Sequence, residues 1–452
     1  MMLRWIYVAC LGSAALAGPA AAQSPTPLSF EDAVTAAERT AESVAVARAD
    51  VDRAHSQVTL ARSGYLPTIN GALVYQRTLA SEFDDIMFGP PPDPDAPELE
   101  LPFGQPNNWR VNLQVTQPLF DGFRTKASVT AAKGGVRVSQ LGVQSMRAQV
   151  ALQVAQAYFD AALAVRQVEI AEITLEQAEQ TFRENELGFK QGATPEFDLV
   201  RAEVARDNQR TLVVQFRVQR DVTLVHLRRL IGVPLDRPLQ LTSKLDANDI
   251  DQLLATVRSA AGISSSNRVA VAQAKEAVGI GEATVSRARA EFLPILSAGS
   301  DLGFVDYENT PFNSEWRTNW TIGVTLSVPI FDGLRRHAQL RSSKAELAAA
   351  RAQLSLTSKV ANVETAQARA SVEASKQQLE NSVRTVKQAK RAYEIAELRF
   401  SQGASTHLEM VDARVQLEQA LLIQARAARD LRMAHFREEL LPALPLGLQL
   451  VL

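Results

Sequence analysis

The sequence predicts a membrane protein of mixed α-helix and β-strand structure, built from two tandem structural repeats. One stretch recurs at a fixed offset of 211 residues, from Asn108–Gly122 to Asn319–Gly333. Strand-like segments with alternating apolar side chains open both copies, and a helical pattern of about 65 residues follows each of them. A repeat that joins strands to a very long helix is compatible with few architectures.

The first 22 residues have the pattern of a secretory signal peptide. Arg4 precedes an apolar run from Trp5 to Leu16, and Ala20-Ala21-Ala22 fits a small-residue cleavage site. The single cysteine, Cys10, lies inside this run, so we expect a mature chain without disulfides or thiolate metal sites. The formal net charge of −2 gives no indication of a nucleic-acid partner.

Apolar or small residues recur at steps of three and four along each long helix pattern. These stripes run from Val129 to Phe182 and from Leu340 to Tyr393. A stripe so narrow and so long is typical of a coiled-coil seam, and its many Ala and Ser residues indicate close helix approach. We expect each long helix to end at a glycine, Gly192 or Gly403, and to turn into a shorter helix.

The repeat gives a division of the chain into segments. We predict a signal peptide at 1–22, a first repeat at 23–235, an equatorial linker at 236–262, a second repeat at 263–440 and a C-terminal tail at 441–452. Each repeat begins with one helix, at 31–62 or 264–291. The β-hairpins are predicted at 68–120 and 295–331, the long helices at 121–191 and 332–402, and the closing helices at 195–231 and 406–440.

The strand segments alternate cleanly between apolar and polar residues, as in Trp109 to Val115 and Trp320 to Leu326. A half-buried strand of a soluble sheet would have the same pattern. Export, a length of about ten residues and an aromatic residue at the strand end favour outer-membrane strands. Because open sheet edges cannot face lipid, several chains must share one barrel, and three chains of four strands would form a 12-stranded pore.

The hairpin loop Ser81–Gln105 is acidic and rich in proline, and it contains no basic residue. Its composition predicts a solvated loop, which outer-membrane barrels place outside the cell. Two interpretations stay open, namely a flexible loop without specific partners and a loop that binds one.

Short motifs in a constant order resemble those of the TolC family of outer-membrane efflux and secretion ducts. The similarity covers the chain from Glu31 to about Leu440. It implies a homotrimer whose 12-stranded β-barrel, with four strands per chain, is continued by a 12-helix coiled-coil α-barrel. The motifs are Tyr65-Leu66-Pro67, Phe292-Leu293-Pro294, the two Phe-Asp-Gly segments, Leu230-Ile231-Gly232, Gly188-Phe189-Lys190-Gln191-Gly192 and Arg399-Phe400-Ser401-Gln402-Gly403.

The resemblance also implies a function and partners. A passive conduit across the outer membrane and periplasm would dock a periplasmic adaptor (membrane fusion) protein coupled to an inner-membrane pump or ABC transporter. The residues do not separate efflux from type I secretion. A periplasmic coiled-coil adaptor is the alternative, but two full repeats with a strand pair each argue against it, because an adaptor would show a single helical hairpin beside a lipoyl-like β segment.

Residues at the second tip are candidates for a gate. Glu409 and Asp412 are three residues apart at the start of a helix and therefore share one face. A capping box, Thr406 to Glu409, explains Glu409 equally well from the sequence alone. The resemblance implies that the two acids belong to a periplasmic ring of carboxylates, which favours cations.

The resemblance adds two gate positions and a contact surface. Asp198 and Phe400 match the family's gate, where Tyr is usual at 400 and Arg at 405. Because residue 405 is Ser, the family's salt bridge to Asp198 cannot form, and we expect the closed state to depend on the neighbouring coiled coils. The predicted adaptor contact consists of Gly192, Ala193, Thr194, Gly403, Ala404 and Ser405, which a plain helix–turn–helix would also explain.

The sequence predicts neither an enzyme nor a bound cofactor or metal. It contains no HExxH, GxSxG, P-loop or GxGxxG motif, and its five histidines lie far apart along the chain. Asp121 and Asp332 each precede a glycine and a new helix, so we expect them to cap those helices.

Overall fold

The computed structural model describes residues 26–80, 106–245, 249–263, 268–307, 316–402 and 404–447. The predicted signal peptide, the acidic loop Ser81–Gln105 and Gly403 lie outside these residues. None of the described helices is both long and apolar enough to cross a membrane.

The elements are β1 (Thr26–Leu28), α1 (Phe30–Thr40), α2 (Glu42–Ser63), β2 (Thr68–Arg77), β3 (Asn107–Phe120), α3 (Arg124–Lys190), α4 (Glu196–Ile231), β4 (Leu239–Leu241), α5 (Ile250–Ala261), α6 (Val269–Ala290), β5 (Ile295–Asp306), β6 (Arg317–Ser327), α7 (Arg335–Ser401) and α8 (His407–Leu440).

The chain forms two compact units. The first unit comprises residues 1–42, 147–264 and 365–441, and the second comprises 43–146, 265–364 and 442–452. Each unit combines segments from both halves of the sequence. The predicted repeats at 23–235 and 263–440 are therefore not separate compact bodies, because their long helices α3 and α7 each contribute to both units.

The second unit contains an antiparallel sheet with the strand order β2-β3-β5-β6. Side chains in one cross-strand row share a face, and successive rows alternate in polarity. One row consists of Gly71, Leu113, Leu302 and Trp320, and the next consists of Asn70, Gln114, Asp301 and Thr321. The predicted alternation is thus present, but the second hairpin is shorter than 295–331, because β6 ends at Ser327 and Val328-Pro329 follows it. Ser327 pairs with Ile295, the first residue of β5, so β5 offers no partner to the residues after Ser327.

The turn from strand to helix is built in the same way in both halves. Gly122 and Phe123 have φ of +68°, and Gly333 and Leu334 have φ of +67° and +70°. Asp121 Oδ2 accepts a hydrogen bond of 2.7 Å from the Thr125 N–H, and Asp332 Oδ2 accepts one of 3.2 Å from the Arg336 N–H. The predicted capping roles of both aspartates are confirmed, and the long helices begin at Arg124 and Arg335 rather than at 121 and 332.

The long helices α3 and α7 have the same length and the same position in their repeats. Each has 67 residues, and the bounds Arg124–Lys190 shifted by 211 residues give Arg335–Ser401. The predicted seams, Val129 to Phe182 and Leu340 to Tyr393, are buried or half-buried at every position that we predicted. One expectation was too narrow, because α3 is buried around most of its circumference between Ala148 and Ala171.

Part of the extra burial on α3 belongs to an aromatic core in the first unit. Phe30, Tyr158, Phe159 and Phe436 are fully buried, with ring centroids 5.2 to 5.6 Å apart. The Tyr158 hydroxyl donates to Leu28 O at 2.9 Å and accepts from the Ser243 N–H at 3.1 Å. Tyr158 thereby connects β1 to the residues that directly follow β4.

Two predicted segments differ from the structure. The segment 236–262 is not a plain linker, because it contains β4, which pairs with β1, and α5, whose Leu253 and Val257 are buried. The single helix predicted at 31–62 is interrupted at Ala41, which has extended backbone angles of φ −66° and ψ +106° and ends α1. The interruption falls between the buried face of α1 and the largely exposed α2, so the two helices pack in different surroundings.

Candidate gate at the helical tips

The turn between α3 and α4 forms the first tip. The Ala193 N–H donates to Gly188 O at 2.8 Å and the Gly192 N–H donates to Phe189 O at 2.9 Å, which is the Schellman pattern of helix ends. Gly192 adopts a φ of +72°, a conformation that favours glycine. Gly188 lies against Thr194, since a methyl group at position 188 would lie 2.2 Å from Thr194 Oγ1. The tip is therefore compact, with Gly192 and Ala193 exposed on its surface.

The turn between α7 and α8 forms the second tip and has related geometry. The Ala404 N–H donates to Arg399 O at 2.8 Å, which matches the bond from Ala193 to Gly188. Ala404 is exposed and Ser405 is half-buried. Thr406 begins α8, and its hydroxyl accepts from the Glu409 N–H at 3.4 Å.

The two acidic residues of the second tip are both exposed. The cap at Thr406 uses the backbone N–H of residue 409, which any amino acid except proline would supply. Among the residues that the structure describes, no hydrogen bond or ion pair engages the Glu409 or Asp412 carboxylate. The observed half of the capping box therefore leaves the carboxylate of Glu409 available for another role.

The other two predicted gate residues lie near His407, the first residue of α8. The Phe400 and His407 rings pack edge to face with centroids 5.7 Å apart. Burial lowers the pKa of His407, and the attraction of Asp198 opposes this effect. The Ser405 Oγ is buried and has no hydrogen-bond partner within the described tips.

Above His407, the tip contains a row of buried polar side chains. His407, Arg414 and Glu418 are each 5% to 7% exposed although they carry ionisable groups. Gln209 of α4 donates a hydrogen bond of 2.8 Å to Glu418 Oε1. Burial raises the pKa of Glu418 and lowers the pKa of Arg414, because each loses hydration in this interior.

Tyr393 of α7 faces the same polar row. Its hydroxyl donates to Glu397 Oε1 at 3.2 Å. Burial and the nearby Glu397 carboxylate raise the pKa of Tyr393 to about 12, and the Arg414 charge partly offsets this shift. All three helices α4, α7 and α8 thus contribute polar groups to the interior of the tip.

Sequence reasoning missed this polar row. Its signal was present, because His407, Met410, Arg414 and Glu418 follow one another at spacings of three and four. The separation of the histidines along the sequence tests for a metal site but not for a shared helix face. In the described residues, no group of three or more His, Cys, Asp or Glu side chains is arranged to hold a metal ion.

Comparisons with known proteins identify the architecture. The sequence model described as outer membrane efflux protein matches residues 34–233 and 255–437. Nodulation protein T of Rhizobium leguminosarum bv. viciae is 23% identical over 260 residues, which are 56% of this chain and 52% of that protein. The chain therefore matches about half the length of this curated relative.

Solved structures extend the similarity to nearly the whole fold. The outer membrane protein VceC of Vibrio cholerae has a TM-score of 0.73 at 20% identity, covering 91% of this chain and 95% of that one. The CmeC outer membrane channel of Campylobacter jejuni has a TM-score of 0.72 at 18% identity, covering 92% and 86%. The open state of the MtrE outer membrane channel of Neisseria gonorrhoeae has a TM-score of 0.72 at 18% identity, covering 92% and 89%.

The family match covers most of the chain and both of its helical tips, and the fold is that of outer-membrane channels rather than of a periplasmic adaptor. The chain belongs to the outer membrane efflux protein family and is a protein of the outer membrane.

Proposed function

We propose that three copies of this chain form one duct across the outer membrane and periplasm. The observation that carries the proposal is the open sheet β2-β3-β5-β6, whose edge strands β2 and β6 have no further partner among the described residues. Unpaired strand edges cannot face lipid, so β6 of one copy must pair with β2 of the next. Three such pairings close a barrel of 12 strands, from four per chain.

The two faces of the sheet fit a lipid-facing exterior and a polar lumen. Trp320, Ile322, Val324 and Leu326 of β6 are 63% to 76% exposed, which is unusual for large apolar side chains in a soluble sheet. The opposite face contains Asn112, which donates to Asp301 Oδ2 at 3.0 Å. A passive conduit needs a polar wall that keeps its lumen filled with water, and it needs no catalytic group.

We further propose that the helical tips form the gate and the docking site. Glu409 and Asp412 would supply six carboxylates in a trimer, and Asp198 and Phe400 would line the same constriction. The support is the exposure of both acids beside a cap that does not use the Glu409 side chain. The described contact residues are Gly192, Ala193, Thr194, Ala404 and Ser405, and the proposal also includes Gly403.

The partners follow from this placement. A periplasmic adaptor would hold the tips and connect them to an inner-membrane pump or to an ABC transporter. The chain would serve efflux in the first arrangement and type I secretion in the second. Transport by such a duct is passive, and its selectivity depends on the charges at the constriction.

Chemical cross-linking of outer-membrane fractions, followed by electrophoresis with and without heating, tests the assembly. We expect a trimer that migrates compactly until it is heated. The same purified protein should form ion-conducting channels in planar bilayers. A monomer in the membrane fraction, or a trimer that never conducts, would contradict the proposal.

A further inference from the structure

His407 is enclosed by its own chain although it lies at a tip. His407 is 5% exposed. Neither its Nδ1 nor its Nε2 has a hydrogen-bond partner in the part of the chain that the structure describes. A neutral imidazole buried without partners tolerates this environment better than a charged one. A second copy of the chain cannot supply the missing partner, because the ring is already covered.

The position of His407 connects the two helical tips. Gln209 of α4 and Glu418 of α8 are hydrogen-bonded and lie 209 positions apart in the sequence. Asp198 and His407 have the same separation and also interact, so α4 and α8 run side by side in the same direction. His407 thus lies level with Asp198 on the neighbouring helix, and Phe400 of α7 covers its ring.

The charged groups that act on His407 come from two helices. Asp198 and Arg201 lie on α4, and Arg414 lies on α8. From α7 the contact is the uncharged Phe400 ring. Two positive charges and one negative charge therefore surround the ring, and burial together with the arginines lowers the pKa of His407 more than Asp198 raises it.

We propose that His407 is a proton-sensitive lock on the helical tip, and that protonation of its buried imidazole shifts the tip from the packed arrangement to an opened one. This inference rests on the proposed gate at Glu409, Asp412, Asp198 and Phe400. A charged imidazolium must regain water, and it can do so only if Phe400 and the start of α8 move apart.

The direction of the pH effect follows from the lowered pKa. A hydrated histidine in the opened tip has the higher pKa, near 6.5, so the opened tip binds more protons than the packed tip. The packed tip is therefore fully favoured above that pH and loses this advantage as the pH falls. Each histidine contributes at most a tenfold change per pH unit, which is about 1.4 kcal/mol.

Planar-bilayer recordings of purified wild type, H407Q and H407F at pH 7.5 and 5.5 test the proposal. We expect the open probability of the wild type to rise several-fold at pH 5.5, and both variants to lose most of this rise. The matched control is H226Q, which removes an exposed histidine of α4 and should keep the wild-type response. A wild type without a rise, or variants that retain it, would overturn the inference.

Amide hydrogen exchange on the same samples gives a second and independent measurement. After correction for the intrinsic pH dependence, exchange in residues 395–415 should be faster at pH 5.5 than at 7.5 in the wild type and equal in H407F. Equal exchange in the wild type would refute the lock even if no variant conducts. Protein that forms no channel at either pH would instead contradict the proposed duct, so the two failures are distinguishable.

Discussion

Gln209 binds the buried carboxylate of Glu418 with a 2.8 Å hydrogen bond from its Nε2. The same amide lies 3.3 Å from Ala171 O, so one side chain connects α4 to both α8 and α3. Glu418 is 7% exposed, and burial raises its pKa. The interior of this coiled coil is therefore held together partly by polar contacts.

We expect Gln209→Leu to lower the thermal stability of the tip at pH 7.5. The substitution leaves the Glu418 charge without its donor, which costs about 1–3 kcal/mol. The pKa of Glu418 is raised in the folded state, so the folded state binds this proton more tightly than the unfolded state does. The stability of the folded state therefore falls as the pH rises from the unfolded-state pKa of Glu418 to its folded-state pKa. Glu418→Gln should therefore be tolerated at pH 7.5 and should reduce the effect of Gln209→Leu. Melting curves of single and double variants in detergent measure this coupling, and additive losses would contradict it.

The aromatic core offers a second test of stability. Tyr158→Phe removes a hydroxyl that joins Leu28 O to the Ser243 N–H, and the buried polar groups left behind should cost about 1–3 kcal/mol. Tyr65→Phe is the control, because Tyr65 is 50% exposed and its change should stay within about 0.5 kcal/mol. Chemical denaturation of both variants gives the comparison. Equal stability of the two would show that the β1–β4 pair does not depend on Tyr158.

Most of the fold could be predicted because the sequence contains long and regular patterns. The offset of 211 residues placed the long helices, and their bounds agree with it at both ends. The helix break at Ala41 and the strand β4 could not be predicted, since each depends on partners distant in sequence. Thr26 pairs with Leu239, for example, through contacts that no local pattern shows.

Within the candidate site, the sequence predicts the exposed charged residues but not the buried ones. Glu409 and Asp412 stand out as charges at a helix start, and the structure leaves both exposed. His407 and Arg414 could not be identified in the same way, because a charged residue is expected at the surface and their burial results from packing against α4 and α7. Nothing in either residue alone indicates that it lies in the interior.

The exposed acids should determine ion selectivity if they line a constriction. We expect Glu409→Gln combined with Asp412→Asn to lower the cation-to-anion permeability ratio several-fold and to weaken block by divalent cations. Reversal potentials in asymmetric KCl measure the ratio. Glu203→Gln, which removes an exposed carboxylate from the side of α4, is the control. Unchanged reversal potentials in the double variant would show that the two acids stabilise the start of α8 and do not act on permeating ions.

Asp198 should contribute little to closure at neutral pH. Its expected partner is absent because residue 405 is Ser, so Asp198→Ala should leave single-channel conductance at pH 7.5 near the wild-type value. The same variant should enlarge the acid response and extend it to lower pH, because Asp198 favours the proton on His407 in the packed tip and its loss widens the pKa difference from the opened tip. Conductance measured across a pH series tests both statements. A large rise in conductance at pH 7.5 would show that Asp198 holds the tip closed by itself.

The docking surface should be separable from the channel. Ala193→Trp together with Ala404→Trp places bulk on two exposed turn residues, and we expect it to abolish transport in cells while bilayer conductance remains. Ala193→Ser with Ala404→Ser is the matched control and should transport normally. Efflux assays and membrane fractionation measure the two properties. Normal efflux in the tryptophan variant would exclude these residues from the adaptor contact.

The equal length of α3 and α7 restricts how this chain can evolve. Each helix has 67 residues between a cap and a turn, so one inserted residue would rotate every later side chain by about 100° and move the seam off its partner. Insertions that survive should therefore come in sevens, as whole heptads, and should occur in both helices together. Related genes should therefore show insertions or deletions of equal length at equivalent positions of α3 and α7. Alignment gaps in this family should carry evolutionary information in addition to the substitutions.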